Sequence, residues 1–538
     1  MDRNLAALTL LSLSLAACGA PAPSTGPSPS DTLRIGAGAG TGRIQRLVYQ
    51  PISPALPAIP AVDGPLAIRV IEPRGGIRPR AERTIIYGNV GTGQAALEIN
   101  GTAVPVAPNG AFIAYLPTPQ DAWRLRAQRG SEEVTHTVQY AGPEDFSGTG
   151  SGGPSQNAVY PTARAGTVTG GSDTLATGSD AIYARPTPTG AYRWFFPRGA
   201  RLTVLERRGS QYRVQLDAAT EAWVDATSLN VAETGAPPAP GEVTASLTRG
   251  AQWLDLRAAA GGRPFLVEVT ETGAVVTVYG ATSVAPRPPP AGTQARAEAA
   301  GGSGRFTVQT AGMPWGYKAW YEANGDLVVR IRQAPAIDAA NPLRGRRIVI
   351  DPGHPPAGAT GPTGLYEGDA NLAISLPLAE KLRARGAEVI LTRTGREGLV
   401  SSTNASQELG ARVRLAVERD ADLLISVHNN AFGESADPFR AHGTSVYYFH
   451  PTSAGLAQAL DREIVGVTQI PDIGARVGNL ALVRPTWLPT ALTESLFMPI
   501  PEQEAALRDP AFVERLADAH VRGIEAFLRA RAGAGGGR

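Results

Sequence analysis

Arg347-Ile-Val-Ile-Asp-Pro-Gly-His354 is a short apolar run that stops abruptly in a polar turn, and Leu423-Leu-Ile-Ser-Val-His-Asn-Asn430 repeats the pattern downstream. Around these two segments, from Pro335 onward, strand-like and helix-like patterns alternate. Further strands read at Glu388-Val-Ile-Leu391, Ser445-Val-Tyr-Tyr-Phe449 and Ala491-Leu-Thr493. Helices read at Asn371 to Arg385, with Leu372, Leu376, Ala379 and Leu382 on one face, and at Ser406 to Arg419, with Leu409, Val413 and Ala416. Two more read at Ala454 to Val467 and at Ala511 to Ala530, the latter burying Phe512, Leu516, Ile524 and Phe527. Such alternation predicts an α/β domain over residues 343–532, with a largely parallel sheet flanked by helices. Sheets of this kind carry their chemistry beyond the carboxyl ends of the strands.

The polar residues at those ends are two histidines and two glutamates. His354 and His428 close two apolar strands, Glu494 ends another, and Glu367 sits in the turn Gly364-Leu-Tyr-Glu-Gly368 ahead of the first helix. Two neutral imidazoles and one carboxylate suit Zn²⁺ with a fourth position left for water, whose pKa the metal lowers to about 7. A separate carboxylate serves the proton traffic, since the attacking water loses a proton and the leaving amine gains one. Taken singly, each residue has a plainer explanation: a capped loop histidine for His354, a helix-start carboxylate for Glu367, a satisfied core histidine for His428. A buried unpaired carboxylate is costly, so Glu494 needs a function or an ion pair. His442 and His450 bracket an edge-like strand, and nothing makes them ligands.

The ordered set Arg347-Ile-Val-Ile-Asp-Pro-Gly-His354, Glu367 with Asn371-Leu372, Thr392-Arg-Thr394, Ala421-Asp-Leu-Leu-Ile-Ser-Val-His-Asn-Asn-Ala431 and Leu488-Pro-Thr-Ala-Leu-Thr-Glu494 resembles the zinc-dependent N-acetylmuramoyl-L-alanine amidases of the Amidase_3 type. The resemblance covers about residues 343–528. It implies that His354, Glu367 and His428 bind zinc and that Glu494 is the catalytic acid/base. It implies a peptidoglycan hydrolase that cuts between the lactyl group of N-acetylmuramic acid and L-alanine of the stem peptide, through a zinc-activated water. The chain departs from the family at Pro355-Pro356, where glycines are usual, at Gly368, where Lys is common, and at Asn429, where Ala is common. Arg393 and Arg412 match arginines of the family and are expected to make structural pairs. An inactive or regulatory peptidoglycan-binding lipoprotein and another zinc-dependent wall peptidase are the rival readings. The first is expected to have lost a ligand or the base, and the second would not share the whole ordered set.

Upstream, the chain is a string of all-β modules. Of 538 residues, 62 are Gly and 45 are Pro, about a fifth against an average of roughly 12%, which excludes a purely helical protein. Leu66-Ala-Ile-Arg-Val-Ile71, Arg83-Thr-Ile-Ile-Tyr-Gly88, Ala96-Leu-Glu-Ile99, Phe112-Ile-Ala-Tyr115 and Val134-Thr-His-Thr-Val138, parted by turns such as Asn100-Gly101 and Asn109-Gly110, predict a β-sandwich over 61–142 that resembles an immunoglobulin-like module. Residues 161–233 resemble a bacterial SH3-like barrel, and 241–335 an AMIN-like β domain of cell-wall amidases. Pro/Gly/Ser-rich linkers are expected at 19–60 and 143–160, and a flexible tail at 533–538. A fragment from about Ala336 to Arg538 is expected to fold alone.

The amino terminus sets the expected location. The apolar run Leu5 to Ala17 is too short to span a bilayer and reads as a signal peptide, 1–18. Leu15-Ala16-Ala17-Cys18 resembles a lipobox, which implies lipidation at Cys18 and a membrane-anchored lipoprotein of the cell envelope facing the periplasm or the exterior. Cys18 is the single cysteine, so neither a disulfide nor a thiolate site is available to the mature chain. With 50 basic against 48 acidic residues and a net charge of +2, nucleic acid is excluded as a partner. Peptidoglycan, the membrane through the lipid, and envelope division or activator proteins are the partners expected.

Overall fold

The computed structural model describes residues 42–76, 78–140, 157–171, 176, 182–232, 236–400, 402 and 404–535. Cys18, the signal segment 1–18 and most of both linkers lie outside the described residues. Among the described residues, no helix is long and apolar enough to cross a membrane.

The C-terminal region is an α/β unit with a sheet flanked by helices, as predicted. Its strands are β1 (Arg347–Pro352), β2 (Glu388–Leu391), β3 (Leu423–Asn430), β4 (Thr444–Tyr448), β5 (Asp472–Val477) and β6 (Thr490–Phe497). They form one sheet in the order β2-β1-β3-β6-β4-β5. The pairs β1–β2, β1–β3, β3–β6 and β4–β5 are parallel, and β4 runs antiparallel to β6. Alternation along the strands sorts the layers. Ile348, Ile350, Leu423, Ile425 and Val427 face α1 (Glu367–Ala384), α3 (Pro451–Thr468) and α5 (Pro510–Gly535). Val349 and Leu424 face the opposite way, onto Val413, Ala416 and Val417 of α2 (Ala405–Glu418).

Several expectations shift. Helix α1 begins at Glu367, four residues before the predicted start, and its buried stripe is Ile374, Leu378, Ala379 and Leu382 with Asn371 and Ser375, while Leu376 is exposed. The misreading arose because both flanks of this helix carry leucines. Strand β5 and the short helix α4 (Pro501–Leu507) have no counterpart in the sequence reading. The tail predicted from 533 continues α5 as far as Gly535.

The β units are strand-rich as expected. The first has a three-stranded sheet (Arg69–Glu72, Arg83–Asn89, Ala111–Pro117) and a four-stranded one (Thr102–Val104, Ala96–Ile99, Ala122–Arg129, Glu132–Gln139). Between them lie Ile86, Leu97, Phe112, Trp123 and Leu125. Residues 158–231 form a seven-stranded antiparallel sheet, and residues 241–332 form a five- and a four-stranded sheet around Phe265, Phe306 and Val276. These units are not beads on a string. Residues 42–60, expected as tether, are partly fastened: Ile44 and Leu56 are buried, and Ile52 and Ser53 donate to Glu502.

The units attach at opposite ends of the C-terminal α/β sheet. Trp315 Nε1 donates to Asp422 O (2.8 Å), Tyr317 exchanges bonds with Thr486, and Phe195 packs against Phe449 and His450. Asp422 and Thr486 precede β3 and β6, so these contacts lie at the amino ends of the parallel strands. The first sandwich instead reaches Thr360, Glu434 and Ser435, in the loops that leave β1 and β3.

Candidate metal centre

Adjacent parallel strands β1 and β3 end side by side, so the residues just past their last pairs, His354 and His428, converge. The glycine between strand and histidine makes this approach possible: any side-chain carbon on Gly353 would overlap the His428 imidazole. His354 sits at φ +61°, a conformation rare outside glycine. The loop after it folds back and delivers Glu367 as the first residue of α1. Glu367 Oε1 lies 3.0 Å from His354 Nε2 and 3.2 Å from His428 Nδ1. One ligand atom from each of the three residues falls within 4.8 Å of the others.

Hydrogen bonds set the state of these groups. Pro356 O is 3.1 Å from His354 Nδ1, and a carbonyl accepts, so Nδ1 carries a proton and Nε2 is the nitrogen turned toward Glu367. The departure at Pro355-Pro356 therefore keeps a functional carbonyl. Burial holds the His428 imidazole below its ordinary pKa, favouring the neutral form that binds metals. Burial alone would raise the Glu367 carboxyl, yet the two histidines outweigh it and hold the group well below the usual carboxylate range. Glu367 Oε2 accepts from Ala359 N (2.9 Å). Two imidazoles and one ionised carboxylate are a donor set that fits Zn²⁺.

Glu494 is opposite His428 in the β3–β6 register and opposite Ser445 in the β6–β4 register. Its Oε2 is buried and has no hydrogen-bond partner among the described residues. Burial first, and then the charge of Glu367, push its carboxyl well above the usual range. A carboxyl in that state is suited to exchanging protons.

The structure brings His354, Glu367, His428 and Glu494 together, and it separates His442 and His450 from them: their ring nitrogens meet Pro438 O and Arg484 O. Arg393 and Arg412 are structural, as expected. Arg393 donates to the carbonyls of Pro352, Gly353, Gly368 and Gly395. Arg412, 1% exposed, pairs with Glu408 and Asp351 and donates to the carbonyls of Pro352, His354 and Pro355. Sequence reasoning left three supporting residues without a role. Asp351 accepts from Thr392, Ser426 and Arg412. Asn371 Nδ2 donates to Gly353 O and Glu367 Oε1, and Asn429 bridges Asn371 to Leu496 N. Asn429 thereby joins α1 to β6, which gives the unusual residue at that position a task. Asn429 directly follows His428 and Asp351 stands in the turn that carries His354, whereas Asn371, on α1, bore no such signal.

A family model described as N-acetylmuramoyl-L-alanine amidase matches residues 348–526. The uncharacterized Bacillus subtilis protein YqiI is 30% identical over 200 residues, 36% of this chain and 90% of its own length. The probable cell wall amidase LytH of Staphylococcus aureus is 30% identical over 219 residues, 40% of this chain and 68% of its own. Among solved structures, the catalytic domain of the amidase CwlV from Bacillus (Paenibacillus) polymyxa is 32% identical, with a TM-score of 0.30, over 34% of this chain and 98% of that one.

Proposed function

The chain belongs to the N-acetylmuramoyl-L-alanine amidase family, and from that premise we propose that its C-terminal domain hydrolyses the amide bond between the lactyl group of N-acetylmuramic acid and L-alanine in peptidoglycan. The observation that carries the reading is the convergence of His354, Glu367 and His428 within 4.8 Å, with Glu494 paired to His428 across two strands. His354, Glu367 and His428 would hold zinc, which when bound supplies a Lewis acid and lowers the pKa of water to about 7. Glu494 takes the proton from the attacking water and returns it to the departing L-alanine nitrogen, one carboxyl serving both halves of the exchange. Arg393 spends its donors on backbone carbonyls, and Arg412 divides its own between Glu408, Asp351 and the carbonyls of Pro352, His354 and Pro355, keeping the His354 loop in place.

The β units would hold the enzyme near its polymer and raise the local substrate concentration. A lipid on Cys18 would anchor the mature protein in the cell envelope. Loss of lipid labelling in Cys18→Ala tests the anchor, and unchanged labelling would sink it.

The catalytic reading is tested by separating the four residues. His354→Ala, Glu367→Ala and His428→Ala are expected to lower zinc occupancy. Glu494→Ala should keep its zinc and lose about 10²–10⁴ of the rate. The wild-type reaction on isolated sacculi should release peptides with a free L-alanine amine and leave the glycan intact. New reducing sugar ends, or full zinc binding in all three ligand variants, would overturn the assignment.

A further inference from the structure

The loop that carries Glu367 to the site runs from Pro355 to Tyr366, and a segment of that length has many conformations to lose before its end residue can serve as a ligand. Within the loop, Ala359 N donates to Glu367 Oε2 and Glu367 N to Ala359 O, both at 2.9 Å, Gly361 N donates to Leu365 O, and Tyr366 Oη donates to Ala357 O. Other fastenings come from outside the loop, and two of them trace back to the amino-terminal part of the chain.

The first is direct. Tyr87, 5% exposed on the strand Arg83–Asn89, donates from its hydroxyl to Thr360 O at 3.2 Å, one residue from Ala359. Ile71, Ile85, Tyr87 and Ile113 form a buried apolar face against Phe497 and Ile500. Strand 83–89 is thus buried on both sides: Ile86 faces the sandwich core while Ile85 and Tyr87 face the catalytic domain.

The second runs through α4. Glu504 accepts from Thr363 N, Thr363 Oγ1 and Leu365 N, pinning the same loop from its other side. Two residues earlier, Glu502 accepts from Tyr49 Oη, Ile52 N (2.7 Å) and Ser53 N (2.9 Å), and Gln503 Nε2 donates to Ser53 Oγ (3.0 Å). Both carboxylates are at most 1% exposed. The strap at 49–53 therefore fixes the helix that fixes the loop.

We propose that the amino-terminal sandwich and its strap are a working part of the metal site, with Tyr87 as a positioning residue that holds the 355–366 loop so that Glu367 is ready for zinc. The proposal rests on the reading of Glu367 as a zinc ligand. It makes the first β unit more than a spacer or a wall-binding module. Whatever pries it from the end of the sheet loosens the zinc site, while the other two β units, attached at the far end, have no such lever.

Tyr87→Phe removes the hydroxyl and keeps the packing, and Tyr115→Phe is its control, because Tyr115 Oη donates to Ser435 O on the other loop. In the full chain, zinc affinity is read by competition with a chromophoric chelator, and exchange of the Ala359 and Glu367 amides by hydrogen exchange. Tyr87→Phe is expected to weaken zinc about 10-fold, the low end for groups that orient metal ligands, and to speed both amides, with Tyr115→Phe matching wild type in both. Zinc affinity and exchange in Tyr87→Phe equal to those of Tyr115→Phe would overturn the proposal. Faster exchange in Tyr87→Phe with no zinc uptake by the wild type would uphold the positioning role and remove the zinc reading instead.

Discussion

At the scale of single residues, the site depends on one absent side chain as much as on four present ones. Gly353 lies between Asp351-Pro352 and His354, and the His428 ring occupies the space that a β-carbon there would need. His428 cannot retreat freely, because Asn429 beside it is bonded to Asn371 and Leu496. Gly353→Ala is therefore expected to push the imidazole off its line toward Glu367 and to weaken zinc by about 10–100-fold. Metal content after dialysis against a weak chelator checks this, and full retention would show that the loop yields instead. The Gly in the Asp-Pro-Gly-His turn is visible in the sequence, but its steric reason is not. That reason involves a residue 75 positions away, which spacing along one chain does not reveal.

At the scale of elements, α5 is tied to β6 by a buried histidine. His520, 0% exposed, has Nδ1 2.8 Å from Leu516 O and Nε2 3.1 Å from Thr493 Oγ1, one residue from Glu494 in sequence. Burial lowers its pKa from the ordinary 6.5 to about 4. The unfolded chain therefore takes up a proton first as the pH falls. Stability from this residue is complete above about pH 6.5 and is lost on the way down to about pH 4. Urea midpoints measured across that window should fall with pH, and His520→Gln should flatten the slope. An unchanged slope would mean that other groups carry the acid sensitivity. The sequence showed α5 by its Phe512, Leu516, Ile524 and Phe527 stripe, but a lone histidine on an apolar face carries no mark of what it meets.

At the scale of the whole molecule, the catalytic domain is not a free-standing piece with β modules trailing from it. Phe497 and Ile500 are covered by the first sandwich, and Trp487 lies against Lys318 and Arg332 of the third β unit. Arg332, 7% exposed, donates to Ala421 O and pairs with Asp422. A fragment from Ala336 to Arg538 would present these apolar faces to water and leave Glu502 without its strap, so it is expected to fold with less stability than it has in the full chain. It should melt lower than the full chain by about 4–8 °C, as for a loss of about 2 kcal/mol in a domain of this size. Calorimetry on both chains decides it, and equal melting temperatures would show that these interfaces add nothing to the stability of the domain.

What the sequence determined by itself is what repeats locally. The alternation of apolar runs with helical stripes set the α/β class, the order of His354, Glu367, His428 and Glu494 along the chain pointed to the proposed chemistry, and the alternating short strands set the β-rich amino-terminal part. Tertiary structure alone decided the rest: that Gly353 clears a path for His428, that Asp351, Arg412 and Asn429 hold the loops, that 42–60 is partly strapped down, and that the first sandwich sits on the active end of the sheet. The physical reason is range. Periodicity reports the burial of a residue within its own element, whereas a steric gap, a carbonyl's donor or a docking face depends on residues tens to hundreds of positions away, which meet only when the chain is folded.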